Sequence, residues 1–146
     1  MLFRSRRNVN GYPPVPWINA HLKSSDRVLI TTRQINYLIE VPTYYANAQV
    51  VGEIETRPEN TDSRRFWTQL RRAGITHLLV EATQPPPPGA QALTAGLLER
   101  GCVSIEKSFE VPQFSSRTLR SGDEPSGEMR LYRMEPGSCP YSGLRP

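Results

Sequence analysis

The chain has 146 residues, 37% of them hydrophobic and 22% charged, and its 18 Lys and Arg against 14 Asp and Glu leave a formal net charge of +4. That length suits one domain with one core, and so modest a charge permits an anionic partner without demanding one. No apolar run reaches the roughly 18 residues of a membrane helix, which predicts a soluble chain.

Met1-Leu2-Phe3 with Arg4, Arg6 and Arg7 has the charge of a signal peptide's first region but not its apolar stretch. Such a start is expected of a cytoplasmic protein or of a piece of a longer one. The 14 prolines and the polar runs crowd the ends and two internal stretches. A flexible segment is therefore expected over 1–15, a single α/β domain over 16–134 and a flexible tail over 135–146, which has almost nothing to bury.

Pro13-Pro14-Val15-Pro16 opens a short helix over 16–23. There Val15, Ile18 and Leu22 recur at helical spacing, and proline is tolerated in the first turn. Residues 27–31 (Arg-Val-Leu-Ile-Thr) are a β-branched apolar run between turn residues, the mark of a buried strand. Ile35, Leu38 and Ile39 fit a helix face begun by Thr32, or else a continuing strand. The helix is preferred, ended by Val41-Pro42, because a residue before proline avoids the helical region. A second strand is expected over 49–54 and a loop over 56–61.

The clearest element spans 62–73. Phe66, Leu70 and Ala73, with Trp67 beside them, form one apolar stripe; Thr61 or Asp62 caps its start and Gly74 ends it. At 100° per residue, Arg64, Arg65, Arg71 and Arg72 fall on the opposite face. A third strand follows over 75–81. Pro85 to Pro88 is a stiff spacer that cannot join a ladder. A second long helix runs over 90–100 with Gly101 as its cap. Residues 102–111 and 128–134 alternate apolar and polar, as half-exposed strands do, and should pair across a mobile loop over 112–127. Helices alternating with strands predict an α/β fold: a three-layer Rossmann-like sandwich, its sheet mostly parallel, with a C-terminal antiparallel hairpin.

The carboxyl ends of such strands are where nucleotides bind. The first such loop, Thr31-Thr32-Arg33-Gln34, has no glycine to admit a pyrophosphate. There is no phosphate-loop or nucleophile-elbow motif either, so no cofactor is expected. Thr31, Thr32, Arg33, Glu81 and Thr83 would still gather at one rim, where arginine and hydroxyls suit a phosphate or sugar. The competing reading is ordinary caps and loop residues. His77 and His21 are read as packing residues, not bases, and no catalytic residue is assigned. The Arg64, Arg65, Arg71 and Arg72 face suits phosphates by bidentate contacts; a solvated helix face is the alternative. Nucleic acid is not expected, since Tyr44-Tyr45 alone is no stacking platform. The histidines and cysteines show no metal-ligand spacing. Cys102 is read as a buried thiol and Cys139 as an unpaired one in the tail, with a Cys102–Cys139 disulfide as the alternative in an oxidising compartment.

Trp17-Ile18-Asn19-Ala20-His21-Leu22, Asp26-Arg27-Val28-Leu29 and Tyr37-Leu38 form a succession with Leu70-Arg71-Arg72-Ala73-Gly74-Ile75-Thr76-His77-Leu78-Leu79-Val80 and the closing Tyr132-Arg133. It resembles the soluble C-terminal domain of bacterial GT-C-type membrane glycosyltransferases, relatives of the dolichyl-phosphate-mannose–protein mannosyltransferases, over about 16–134. In that family the catalytic carboxylate lies between the first membrane helices, in a part that has no counterpart here. The resemblance therefore implies a non-catalytic accessory domain on the extracytoplasmic (periplasmic) side. Its partners would be the transmembrane portion of the parent enzyme and the anionic membrane surface, and the domain would be monomeric. An exported location would also favour the Cys102–Cys139 pair. A free-standing binding module for a nucleotide, sugar phosphate or nucleic acid is the alternative, and a small enzyme working through Arg33 and Glu81 a third.

Overall fold

The computed structural model describes residues 13–49, 52–112 and 126–142. Its first helix, α1 (Pro14–His21), starts two residues before the expected position. Pro14 takes the first turn, where a missing N–H costs nothing and proline's fixed φ already suits a helix. Val15 and Ile18 are buried, so the last residues of the supposed N-terminal segment belong to the folded body. After α1 come β1 (Val28–Ile30), a 3₁₀ helix (Arg33–Leu38), β2 (Thr43–Tyr45) and α2 (Ser63–Arg72). The second half holds β3 (His77–Glu81), α3 (Ala90–Glu99), β4 (Val103–Pro112) and β5 (Ser126–Met134).

The strands lie in the order β2-β1-β3-β5-β4. β1 pairs in parallel with β2 and β3, whereas β5 runs antiparallel to both β3 and β4. The fold is thus α/β with a five-stranded mixed sheet, in which β2, β1 and β3 pair in parallel and the longer β5 and β4 are joined on by antiparallel ladders.

Register sends alternate residues to opposite faces. Leu29, Leu78, Val80 and Tyr132 meet Phe66, Trp67 and Leu70 of α2 and Leu93 and Leu97 of α3. Val28, Ile30, Leu79 and Leu131 meet Val15 and Ile18 of α1 together with Ile35 and Ile39. Two apolar layers therefore cover the sheet, one on each side.

The strand expected over 49–54 is corrected. Gln49 lies in a turn, Val50 and Val51 are outside the described residues, and 52–56 are irregular. The amides of Ile54 and Glu55 donate to Tyr44 Oη (3.2 Å) and Gln69 Oε1 (2.8 Å) instead of a ladder. The second strand is Thr43–Tyr45, tied to β1 at both ends by Val28 N to Pro42 O (3.0 Å) and Ala46 N to Ile30 O (2.8 Å). The short helix expected after β1 forms as a 3₁₀ helix.

The C-terminal segment is also corrected. Beyond Met134 the chain folds back on the end of α3: Glu135 N donates to Cys102 O (2.7 Å) and Ser138 Oγ to Gly101 O (2.6 Å). Cys102 and Cys139, 37 residues apart, are joined in a buried disulfide. The two separate thiols read from the sequence do not exist in this structure. Tyr141 packs on the core beside α2, its Oη 3.2 Å from Ser63 Oγ.

Candidate functional site

The parallel trio β2, β1 and β3 delivers its carboxyl ends to one rim. The β1–β2 connection, through the 3₁₀ helix, packs on one face, and α2, between β2 and β3, packs on the other. The chain therefore changes sides between β1 and β3, and in open α/β sheets the crevice beyond such a point is a ligand's natural seat. Here it is a cleft of about 390 Å³, walled by Thr31 after β1, Glu81 at the end of β3, Asn47, Thr56 and the start of α3.

Its polar groups follow from local structure. Gly89 precedes α3 with φ +111° and no side chain to cap the helix, so the first-turn N–H groups have no side-chain acceptor. A Cβ on Gly89 would lie 3.0 Å from Thr56 O, so glycine alone lets α3 begin this close to that loop. Gln91 Oε1 accepts from Thr83 N (3.1 Å) and Asn47 Oδ1 from Gln49 N (2.9 Å), which leaves each amide NH₂ to donate. Thr56 is 1% exposed, and its Oγ1 has no hydrogen-bond partner among the described residues. Beside it, Glu55 accepts from Arg57 Nε (3.0 Å) and Nη2 (3.0 Å). These bonds hold the Glu55 carboxyl below the usual range.

Of the predicted rim set, Thr31 and Glu81 come together in this cleft. Thr32 is buried before the 3₁₀ helix and makes no side-chain cap. Thr83 lies on a different cleft with Ser108 and Glu110, and reaches the first only through its backbone N–H to Gln91. Arg33 belongs to the 3₁₀ helix, and its side chain is outside what is described. Thr56, Gly89, Gln91 and Asn47 were not read from the sequence. Only Gly89, just before a predicted helix, carried a local signal.

The arginine face is formed as its periodicity requires. Asp62 Oδ1 caps α2 by accepting from Arg65 N (3.0 Å), and Phe66, Trp67 and Leu70 are buried. Arg64, Arg65, Arg71 and Arg72 are exposed, and none has a carboxylate within 4 Å among the described residues. Arg64 and Arg100 lie 5.7 and 5.9 Å from the Tyr141 ring, and Arg71 lies 5.9 Å from Trp67. Arg100 at the end of α3 extends the basic surface beyond α2, and Tyr141, brought in by the disulfide-bound segment, lies between the two helices' arginines.

His77 is buried, with Nε2 3.0 Å from Glu106 Oε2 and Nδ1 2.9 Å from Thr76 Oγ1. Thr76 Oγ1 also accepts from Arg27 N (3.0 Å), so these side chains stitch β3 to the start of β1. His21 stacks on Trp17 with ring centres 4.1 Å apart. Among the described residues no cluster of His, Cys, Asp and Glu could hold a metal ion, and no helix is long and apolar enough to cross a membrane.

Among the described residues, fold and site together define an α/β protein with three α-helices on a five-stranded mixed sheet, a polar cleft at its strand ends and a basic helix face. No family model, curated protein or solved structure matches this chain.

Proposed function

We propose that the chain is a non-catalytic accessory domain of a membrane-bound glycosyltransferase, which helps to position the acceptor or the lipid-linked sugar donor. In this reading it is a monomeric, three-layer Rossmann-like sandwich closed by a C-terminal hairpin. It sits on the extracytoplasmic side of the membrane and rests its α2 arginines against anionic headgroups. The observation that carries the reading is the set of four exposed arginines on one face of α2, without carboxylate partners among the described residues. The Cys102–Cys139 disulfide supports the location, since disulfides persist in oxidising compartments.

Each arginine near an anionic surface contributes about 1 kcal/mol, screened by salt. Sedimentation with phosphatidylcholine vesicles, with and without phosphatidylglycerol, tests the reading. Binding is expected only to the anionic vesicles, weakening as salt rises, and Arg64→Glu/Arg71→Glu should reduce it by roughly 25-fold or more. Equal partition into neutral and anionic vesicles would reject it.

A further inference from the structure

The geometry of the strand-end cleft points to a binding site for a neutral ring ligand bearing a vicinal diol. This goes beyond the membrane reading, which uses the exposed face of α2 and not the cleft. A pair of adjacent hydroxyls asks its site both to accept and to donate hydrogen bonds. Glu81 supplies a carboxylate acceptor, and Asn47 and Gln91 supply amide NH₂ donors because backbone N–H groups already occupy their oxygens. The first turn of α3 adds backbone donors that Gly89 leaves without a side-chain cap.

Thr56 is the second, independent sign. A buried hydroxyl normally finds a partner inside the fold, yet Thr56, on the cleft wall, has its Oγ1 unpartnered among the described residues. That oxygen lies just beneath the wall, so a diol completes the bond as the wall yields to it. The cleft volume, about 390 Å³, falls within the ~300–1,000 Å³ of small-molecule sites. A phosphate fits the helix start but is opposed by the Glu81 carboxylate in the same cleft. A neutral polyol meets no such repulsion.

The same diol chemistry occurs on a sugar ring and on a ribose, so the test has two arms. The ¹⁵N-labelled protein is titrated with free hexoses (glucose, mannose, galactose) and, separately, with uridine and adenosine; inorganic phosphate is the control. Saturating shifts are expected at Thr31, Thr56, Ala90 and Gln91 in one diol arm, which identifies the source, and none with phosphate. Thr56→Val keeps the side-chain shape and removes only the unpartnered hydroxyl, so it should fold at least as stably while weakening binding roughly fivefold or more. Glu81→Gln should weaken it as well. The inference is overturned if neither diol arm saturates, if phosphate alone produces the shifts, or if both variants bind like the parent. Both variants leave the α2 arginines intact, so vesicle binding reports separately on the membrane reading.

Discussion

Glu135 shows how single side chains secure the turn out of the sheet. Its Oε2 accepts from Ser104 Oγ (2.8 Å) and Arg133 Nη2 (3.1 Å) while its backbone N–H donates to Cys102 O. The Ser104 bond first, and Arg133 second, hold its carboxyl below the usual glutamate range. The Arg57 side chain does the same to Glu55. Both carboxyls therefore stay ionised in the folded state at a pH where the unfolded chain, with an ordinary value of about 4.3, has begun to bind protons. Their contribution is complete above that value and is lost as pH falls through the lower folded values. The urea midpoint should thus decline below about pH 4.5, and Glu55→Gln/Glu135→Gln should make the decline shallower. A double variant with an equally steep decline would remove these two groups as its source.

Among the elements, α2 has the clearest division of labour. Its buried face, Phe66, Trp67 and Leu70, anchors it to the sheet, and its start is secured by one cap, Asp62 to Arg65 N. Asp62 is exposed, so Asp62→Ala tests the cap without disturbing packing. A loss of about 1 kcal/mol is expected, read as a lower thermal midpoint with vesicle binding unchanged. A change of only a few tenths would mean that packing alone fixes the helix start. This element was legible from the sequence because everything that specifies it is local: a 3.6-residue apolar period, an aspartate before it and a glycine after it. β2 was not. Three residues are too few to display alternation, and what makes Thr43–Tyr45 a strand is the hydrogen bonding of its neighbours Pro42 and Ala46 to β1.

Across the whole molecule, the disulfide closes a loop that contains β4 and β5, and pins the segment after β5 to the end of α3. In the chain-entropy account, a loop of 37 residues stabilises the fold by about 4 kcal/mol, because the unfolded chain loses freedom. Cys102→Ala/Cys139→Ala should lower the unfolding free energy by about that amount in urea. It should also release Tyr141 from beside Arg64 and Arg100, visible as a change in tyrosine environment. Unchanged stability on replacing or reducing the pair would show that the last turn holds itself without the bond.

Periodicity, caps and turn residues were enough, without tertiary information, to define an α/β chain with α2, α3, β1, β3 and the two long strands near their observed positions. They also placed four arginines on the outer face of α2, because 100° per residue is a property of any helix. Glycines 74 and 101, both with φ +74°, were readable as helix ends for the same local reason. The tertiary structure alone decided the rest. β5 lies between β3 and β4 because long-range ladders chose its neighbours. Cys102 and Cys139 pair because folding brings together two residues whose spacing says nothing about distance. The cleft draws Thr31, Thr56, Glu81 and Gln91 from four separate segments that meet only because the chain crosses from one face of the sheet to the other between β1 and β3.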